Sequence, residues 1–261
     1  MGGLGLILGL GLGYAGRVFS VKVDPKVEKI YELLPHGNCG ACGFPGCEAF
    51  ANAIVENPSL AETCTSSSQE AREEIGIILG VEVSAKNEVK AQLFCRGGIN
   101  SKDAYEYNGI ESCAAASLLM GGPKSCKYGC LGFGDCVEAC PFNAISMTSY
   151  GYPKIDREKC TGCGICVETC PKSLFRLMDK NDPLIACSSQ DKGALVSKYC
   201  STGCIVCRRC VKACEPGAIS MENNLAMIDY EKCTQCYKCV EVCPKGTIVR
   251  VGAKVEIKAE S

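Results

Sequence analysis

Twenty-four cysteines stand among the 261 residues of this chain, and most of them have only two or three residues between them and the next. Cys160-Thr-Gly-Cys163-Gly-Ile-Cys166-Val-Glu-Thr-Cys170-Pro171 spaces four of them as C-x2-C-x2-C-x3-C and closes on proline. Cys233, Cys236, Cys239 and Cys243, followed by Pro244, repeat the pattern, and Cys204, Cys207, Cys210 and Cys214 give it again with Glu215 before Pro216. Disulfides would need an oxidising compartment and irregular spacings across loops. Zinc sites take two pairs per ion and often mix in histidine, and His36 is the only histidine here. Three close cysteines plus a fourth next to proline are the ligand pattern of iron–sulfur clusters. The 47% hydrophobic content counts these cysteines, and without them it is about 38%, lean beside the usual 45–50%, a range that also counts glycine. A framework of sulfur and iron is therefore expected to organise what apolar packing cannot.

Where two such runs share a domain, the fourth cysteine of each ligates the other run's cluster. That rule predicts one 4Fe–4S cluster on Cys204, Cys207, Cys210 and Cys243, and another on Cys233, Cys236, Cys239 and Cys214. It also groups Cys160, Cys163 and Cys166 with Cys140, which precedes Pro141. Sliding the chain by 74 residues superposes it on itself: Cys113 falls on Cys187, Cys126 on Cys200, Cys130 on Cys204, Cys136 on Cys210 and Cys140 on Cys214. Asn143-Ala-Ile-Ser-Met147 likewise meets Gly217-Ala-Ile-Ser-Met221. The chain thus reads as a duplicated ferredoxin-like unit with one defect, because Phe133 occupies the position of Cys207. If the loop re-routes, Cys126, Cys130 and Cys136 supply three thiolates, and Cys170 completes that cluster.

Upstream, His36-Gly-Asn-Cys39-Gly-Ala-Cys42-Gly-Phe-Pro-Gly-Cys47 with Cys64 forms a C-x2-C-x4-C-x16-C set rich in glycine. Glycine permits the tight turns that bring backbone N–H groups toward sulfide. A fifth 4Fe–4S cluster is expected on Cys39, Cys42, Cys47 and Cys64, with a zinc knuckle as the alternative. His36 is read as a loop hydrogen-bonding residue rather than a ligand. Cys95, Cys113, Cys187 and Cys200 remain. They are either small buried hydrophobes, a role free cysteines often fill, or a sixth cluster bridging the two repeats.

Residues 1–16 carry no charged side chain and are mostly Leu, Ile and Gly, with Gly5, Gly9 and Gly13 repeating every fourth position. Such a small-residue stripe lets membrane helices approach closely. Extension through Val21 gives enough length to span, whereas a secretory signal would need a basic start and a cleavage site that are not convincing here. Arg17, Lys22 and Lys26 follow, so the positive-inside rule leaves the remainder cytoplasmic. A net charge of −1 without charge runs gives no footprint of nucleic-acid binding. No G-x-G-x-x-G follows a strand, so no nicotinamide or flavin site is expected.

The anchor, the Gly37-Asn-Cys39-Gly-Ala-Cys42-Gly-Phe-Pro-Gly-Cys47 domain, Cys95-Arg-Gly-Gly98 and the duplicated ferredoxin units occur in an order that resembles the B subunit of Rnf electron transport complexes. The resemblance covers essentially the whole chain. It implies an α+β architecture: a membrane helix at 1–21, a small cluster domain and linker at 22–90, ferredoxin-like units at 91–180 and 181–251, and a tail at 252–261. It also implies a subunit of an ion-translocating ferredoxin:NAD oxidoreductase on the cytoplasmic face of the inner membrane. Such a subunit takes electrons from soluble ferredoxin and passes them through five to six 4Fe–4S clusters to membrane and cytoplasmic partner subunits. No acid, base or nucleophile is nominated in this chain. The other readings are a soluble polyferredoxin carrier and an electron-input subunit of another membrane-linked reductase or hydrogenase.

Overall fold

The computed structural model describes residues 24–84, 89–178 and 183–251, with residues 5, 9–14 and 16. Most of the expected anchor at 1–21 and the tail at 252–261 lie outside the described residues. No described helix is long and apolar enough to cross a membrane.

The small domain is helical. Helix α1 (Pro25–Leu33) starts where the Asp24 carboxylate accepts from the Lys26 N–H at 2.8 Å and proline occupies the first turn. Helix α2 (Cys47–Glu56) runs into a 3₁₀ turn, Pro58–Thr63. Helix α3 (Gln69–Leu79) is capped by the Ser68 hydroxyl and stopped by Gly80 in the left-handed conformation. Their inward faces bury Val27, Ile30, Leu34, Phe50, Ile54 and Ile75 around Cys64. Arg72, itself buried, donates to the Cys64 carbonyl and ties α3 to that cysteine's loop.

The two following units are built alike, each as one antiparallel ladder nested inside another. In the first, β1 (Lys90–Leu93) pairs with β4 (Phe175–Met178), enclosing the hairpin of β2 (Ile145–Met147) and β3 (Pro153–Ile155). In the second, β5 (Pro183–Ile185) pairs with β8 (Ile248–Arg250) around β6 (Ile219–Glu222) and β7 (Leu225–Ile228). The first unit adds short helices α4 (Cys113–Ser117), α5 (Asp135–Glu138) and α6 (Ile165–Thr169). The second adds α7 (Gly193–Tyr199), α8 (Arg209–Ala213) and α9 (Lys238–Glu241). Each unit's buried cluster mixes a few aliphatic residues with cysteines: Leu93, Ile145, Leu174 and Phe175 lie with Cys136, Cys160 and Cys166 in the first. Ile185, Ile219 and Ile248 lie with Cys187, Cys210 and Cys239 in the second.

Phe94, Leu184 and Ala186, with Met178 and Val249, seal the contact between the units. Across it Lys102 N donates to Tyr199 O (2.8 Å), Ser201 N to Asn100 O (3.0 Å) and Ser188 Oγ to Phe94 O (2.9 Å). The small domain seats on the first unit, where Thr161 Oγ1 donates to Ser66 Oγ at 3.2 Å. Gly37 lies close there, and a Cβ on it would fall 2.5 Å from the Phe142 ring, which would have to shift.

Gly98 holds the seam's inner turn at φ +46°, and a Cβ there would lie 1.8 Å from the Tyr150 carbonyl oxygen. Gly217, at φ +65°, faces open space. Gly217→Ala is expected to cost only the backbone strain, about 1 kcal/mol. Gly98→Ala is expected to cost well beyond that, about 3 kcal/mol or more, because backbone must move. Thermal unfolding of the iron-loaded variants compares the two directly.

Candidate iron–sulfur centres

Thiols from separate segments converge on small cavities. Cys204, Cys207, Cys210 and Cys243 line one of about 20 Å³. Cys214, Cys233, Cys236 and Cys239 line another of the same size. In the small domain Cys39, Cys42, Cys47 and Cys64 surround a third, of about 10 Å³. In the first unit the charges of Cys160, Cys163 and Cys140 all bear on Cys166. Each of these sets gathers four thiols.

In the two ferredoxin-like units the loops deliver their thiols by a shared backbone device. The residues just before and just after the middle ligand are both left-handed: Gly162 and Gly164 around Cys163, Val206 and Arg208 around Cys207, Gln235 and Tyr237 around Cys236. Alternating the backbone this way turns successive N–H groups toward one side, making a concave site for negative charge. Val206 at φ +59° is an outlier for a β-branched residue, so this geometry is held against local strain. Gly132 and Gly134 put the same turn around Phe133, at φ +86° and +90°.

The remaining thiols of the first unit group as follows. Cys113, Cys136 and Cys170 all bear on Cys130, and Cys113 and Cys170 are the thiols that act most on Cys136. Cys126, expected in that company, instead lines a cavity with Cys95, Cys187 and Cys200, which Cys130 also borders. His36 lies edge-on against the Tyr31 ring, with centroids 4.6 Å apart. Sequence patterns gave no sign of the groups that address the sulfurs: Ser67 Oγ donates to Cys64 Sγ at 3.1 Å, and Ala144 N to Cys140 Sγ at 3.4 Å. Short hydrogen-bonded turns of this kind have no residue-type signature.

Burial governs the protonation of these thiols. It pushes Cys130, Cys136 and Cys166 up to about 12, with neighbouring thiols adding to the effect. Cys210 and Cys239 rise to about 11 for the same reason. Such thiols are neutral at physiological pH unless a metal's positive charge replaces the proton. The donor sets fit 4Fe–4S clusters: four sulfurs each, from two segments, with no carboxylate lining any of the cavities. Among the described residues no three His, Cys, Asp or Glu side chains crowd onto one ion. A four-iron cluster makes no such demand, since each cysteine binds its own iron.

Two family models match the same segments. One, described as "Putative Fe-S cluster", covers residues 34–66. The other, "4Fe-4S dicluster domain", covers residues 125–174 and again 203–247. Over 236 residues the chain is 40% identical to the B subunit of the ion-translocating oxidoreductase complex of Methanosarcina acetivorans, covering 90% of this chain and 89% of that protein. It is 41% identical to the B subunit of the proton-translocating ferredoxin:NAD(+) oxidoreductase complex of Clostridium ljungdahlii, over 88% and 82% of the two chains. The B subunit of the Na(+)-translocating ferredoxin:NAD(+) oxidoreductase complex of Acetobacterium woodii is 43% identical over 90% and 71%. The chain belongs to this family of B subunits. The family's iron–sulfur domains coincide with the thiol-lined cavities, whereas Cys95, Cys113, Cys187 and Cys200 all fall outside the matched segments.

With few aliphatic side chains in either unit, neutral thiols cannot substitute for the bonds to iron. Chelating the iron is expected to abolish the near-ultraviolet circular dichroism of both units. A native-like spectrum in the iron-free chain would contradict this.

Proposed function

We propose that this chain is the iron–sulfur electron-input subunit of a membrane-bound, ion-translocating ferredoxin:NAD oxidoreductase. It takes electrons from reduced soluble ferredoxin and passes them to partner subunits, where NAD is reduced. The observation that carries the reading is the succession of thiol sets from the small domain into the first unit. Cys39 of the small domain bears on Cys163 of the first unit, and Cys166 of that set bears on Cys136 of the next. Electrons entering at one set thus find the next centre close by.

When bound, 4Fe–4S clusters supply one-electron redox change, at potentials set by hydrogen bonds to sulfur, local charge and burial. The chain's own residues fix those conditions. Cys140 accepts from the Ala144 N–H, and the left-handed turns aim further N–H groups at the sulfurs. The inner ligands Cys136, Cys160, Cys166, Cys210 and Cys239 are themselves buried from water. The ligand sets are Cys39, Cys42, Cys47 and Cys64; Cys140, Cys160, Cys163 and Cys166; Cys204, Cys207, Cys210 and Cys243; and Cys214, Cys233, Cys236 and Cys239. A further set lies around Cys130, Cys136 and Cys170. Residues 1–21 anchor the chain, and the cluster-bearing units face the cytoplasm with the partner subunits.

Reduced ferredoxin, mixed anaerobically with the purified chain in the absence of NAD, is expected to bleach its visible iron–sulfur absorption rapidly. Bleaching by dithionite alone, with none by reduced ferredoxin, would overturn the assignment of the electron donor. Deleting residues 1–21 is expected to move the chain from the membrane to the soluble fraction of a complex-free host. Retention on the membrane would remove the anchor from the reading.

A further inference from the structure

We infer that Cys95, Cys126, Cys187 and Cys200 hold a sixth 4Fe–4S cluster on the seam between the two units, and that Cys113 completes the first unit's own cluster in the place left by Phe133. The inference rests on the reading above that the standard cysteine runs carry such clusters.

The seam site is built of two equivalent halves. Cys95 lies two residues beyond the end of β1, and Cys187 two residues beyond the end of β5. Cys95 Sγ accepts from Gly97 N and Cys130 N, each at 3.4 Å. Cys187 Sγ accepts from Ser189 N at 3.5 Å and Cys204 N at 3.4 Å. Cys126 and Cys200 stand four residues before Cys130 and Cys204 and pack together with Val196 and Tyr199. Strand position therefore equates Cys95 with Cys187, and the 74-residue offset equates Cys126 with Cys200. The four thiols, 7–9% exposed, surround a cavity of about 20 Å³, the size found at both sets of the second unit. Cys130 borders it too: its N–H donates to Cys95 Sγ and its thiol bears on Cys95, while Cys113, Cys136 and Cys170 all bear on that thiol from the first unit's side.

Giving Cys126 to the seam leaves the first unit one ligand short, and Cys113 is held where the shortage is. The Phe133 ring turns away to pack on Tyr107, centroids 5.5 Å apart. Helix α4 then brings the Cys113 thiol to the N–H groups of Phe133, Asp135 and Gly134. Asp135 clamps that helix start, accepting from Cys113 N (2.7 Å), Ser112 Oγ (2.9 Å) and Ala114 N (3.0 Å). The equivalent position in the second unit, which keeps its middle cysteine, is Arg209. The seam cluster would then adjoin a ligand loop on each side, at Cys130 and at Cys204, and make the electron path continuous between units.

The test is iron and acid-labile sulfide per full-length chain, purified anaerobically, for single and double alanine variants. Six clusters give about 24 irons and five give about 20, at four per cluster. Cys95→Ala and Cys187→Ala are each expected to lose about four. Pairs within one site lose no more than a single variant: Cys126→Ala with Cys187→Ala, or Cys113→Ala with Cys136→Ala, each about four. Cys126→Ala with Cys136→Ala loses about eight, at two sites. As a second measurement, Tyr199→Phe removes the hydroxyl that lies against Cys126. It is expected to keep all the iron and to shift the paramagnetic resonance of one reduced cluster. A wild-type count near 20, unchanged iron in Cys187→Ala, zinc in the seam, or a loss of only four in the Cys126/Cys136 pair overturns the inference. A wild-type chain without iron fails the proposed function instead.

Discussion

Each cavity draws thiols from segments far apart in the chain, and the rest of the structure depends on that convergence. Cys243 reaches back to Cys204, Cys207 and Cys210, and Cys140 reaches forward to Cys160, Cys163 and Cys166. The regular elements that hold them are too slight to stand alone. Their ladders are two-stranded and three or four residues long, below what is stable in water. Helices α5, α6, α8 and α9 have four or five residues, far short of self-sustaining length. Bonds to a shared inorganic core stand in for the apolar burial that such elements cannot provide.

The same dependence explains the unfavourable backbone around the middle ligands. Left-handed Val206, Arg208, Gln235 and Tyr237 would each prefer another conformation. They hold it because the flanking cysteines fix both sides of the turn. Where glycine does the same work, at Gly132 and Gly134, the turn survives even though its central residue is Phe133. The loop's shape is thus a property of its frame, and the Cys113 thiol approaches that frame from outside the loop.

The cysteine runs made most of this legible. Their spacing pointed to two ferredoxin-like units, which the matched dicluster segments bear out, and the glycine-rich set pointed to the small iron–sulfur segment. The partition of the remaining thiols was not legible, for a definite reason. A uniform slide of 74 residues brings Cys113 onto Cys187, but strand register brings Cys95 there, 92 residues away. The difference is extra chain between Cys95 and Cys126, which carries α4 and Cys113. Strand β1 is only four residues long, and its partner β4 lies more than eighty residues downstream, so no local pattern marks it. The usable hint was Phe133 itself, since a missing ligand calls for a substitute within reach of the same loop. Asp135 in place of Arg209 was the second half of that hint.

The seam also bears on how such a molecule can arise. Cys95 and Cys126 come from one unit and Cys187 and Cys200 from the other, two matching halves around one cavity. A single unduplicated unit owns half of that set, with two thiols on the face that here meets its neighbour. Two identical copies of such an ancestor, face to face, would present four. Gene fusion would then have made permanent an encounter that earlier depended on concentration, and freed one copy to lose its middle cysteine.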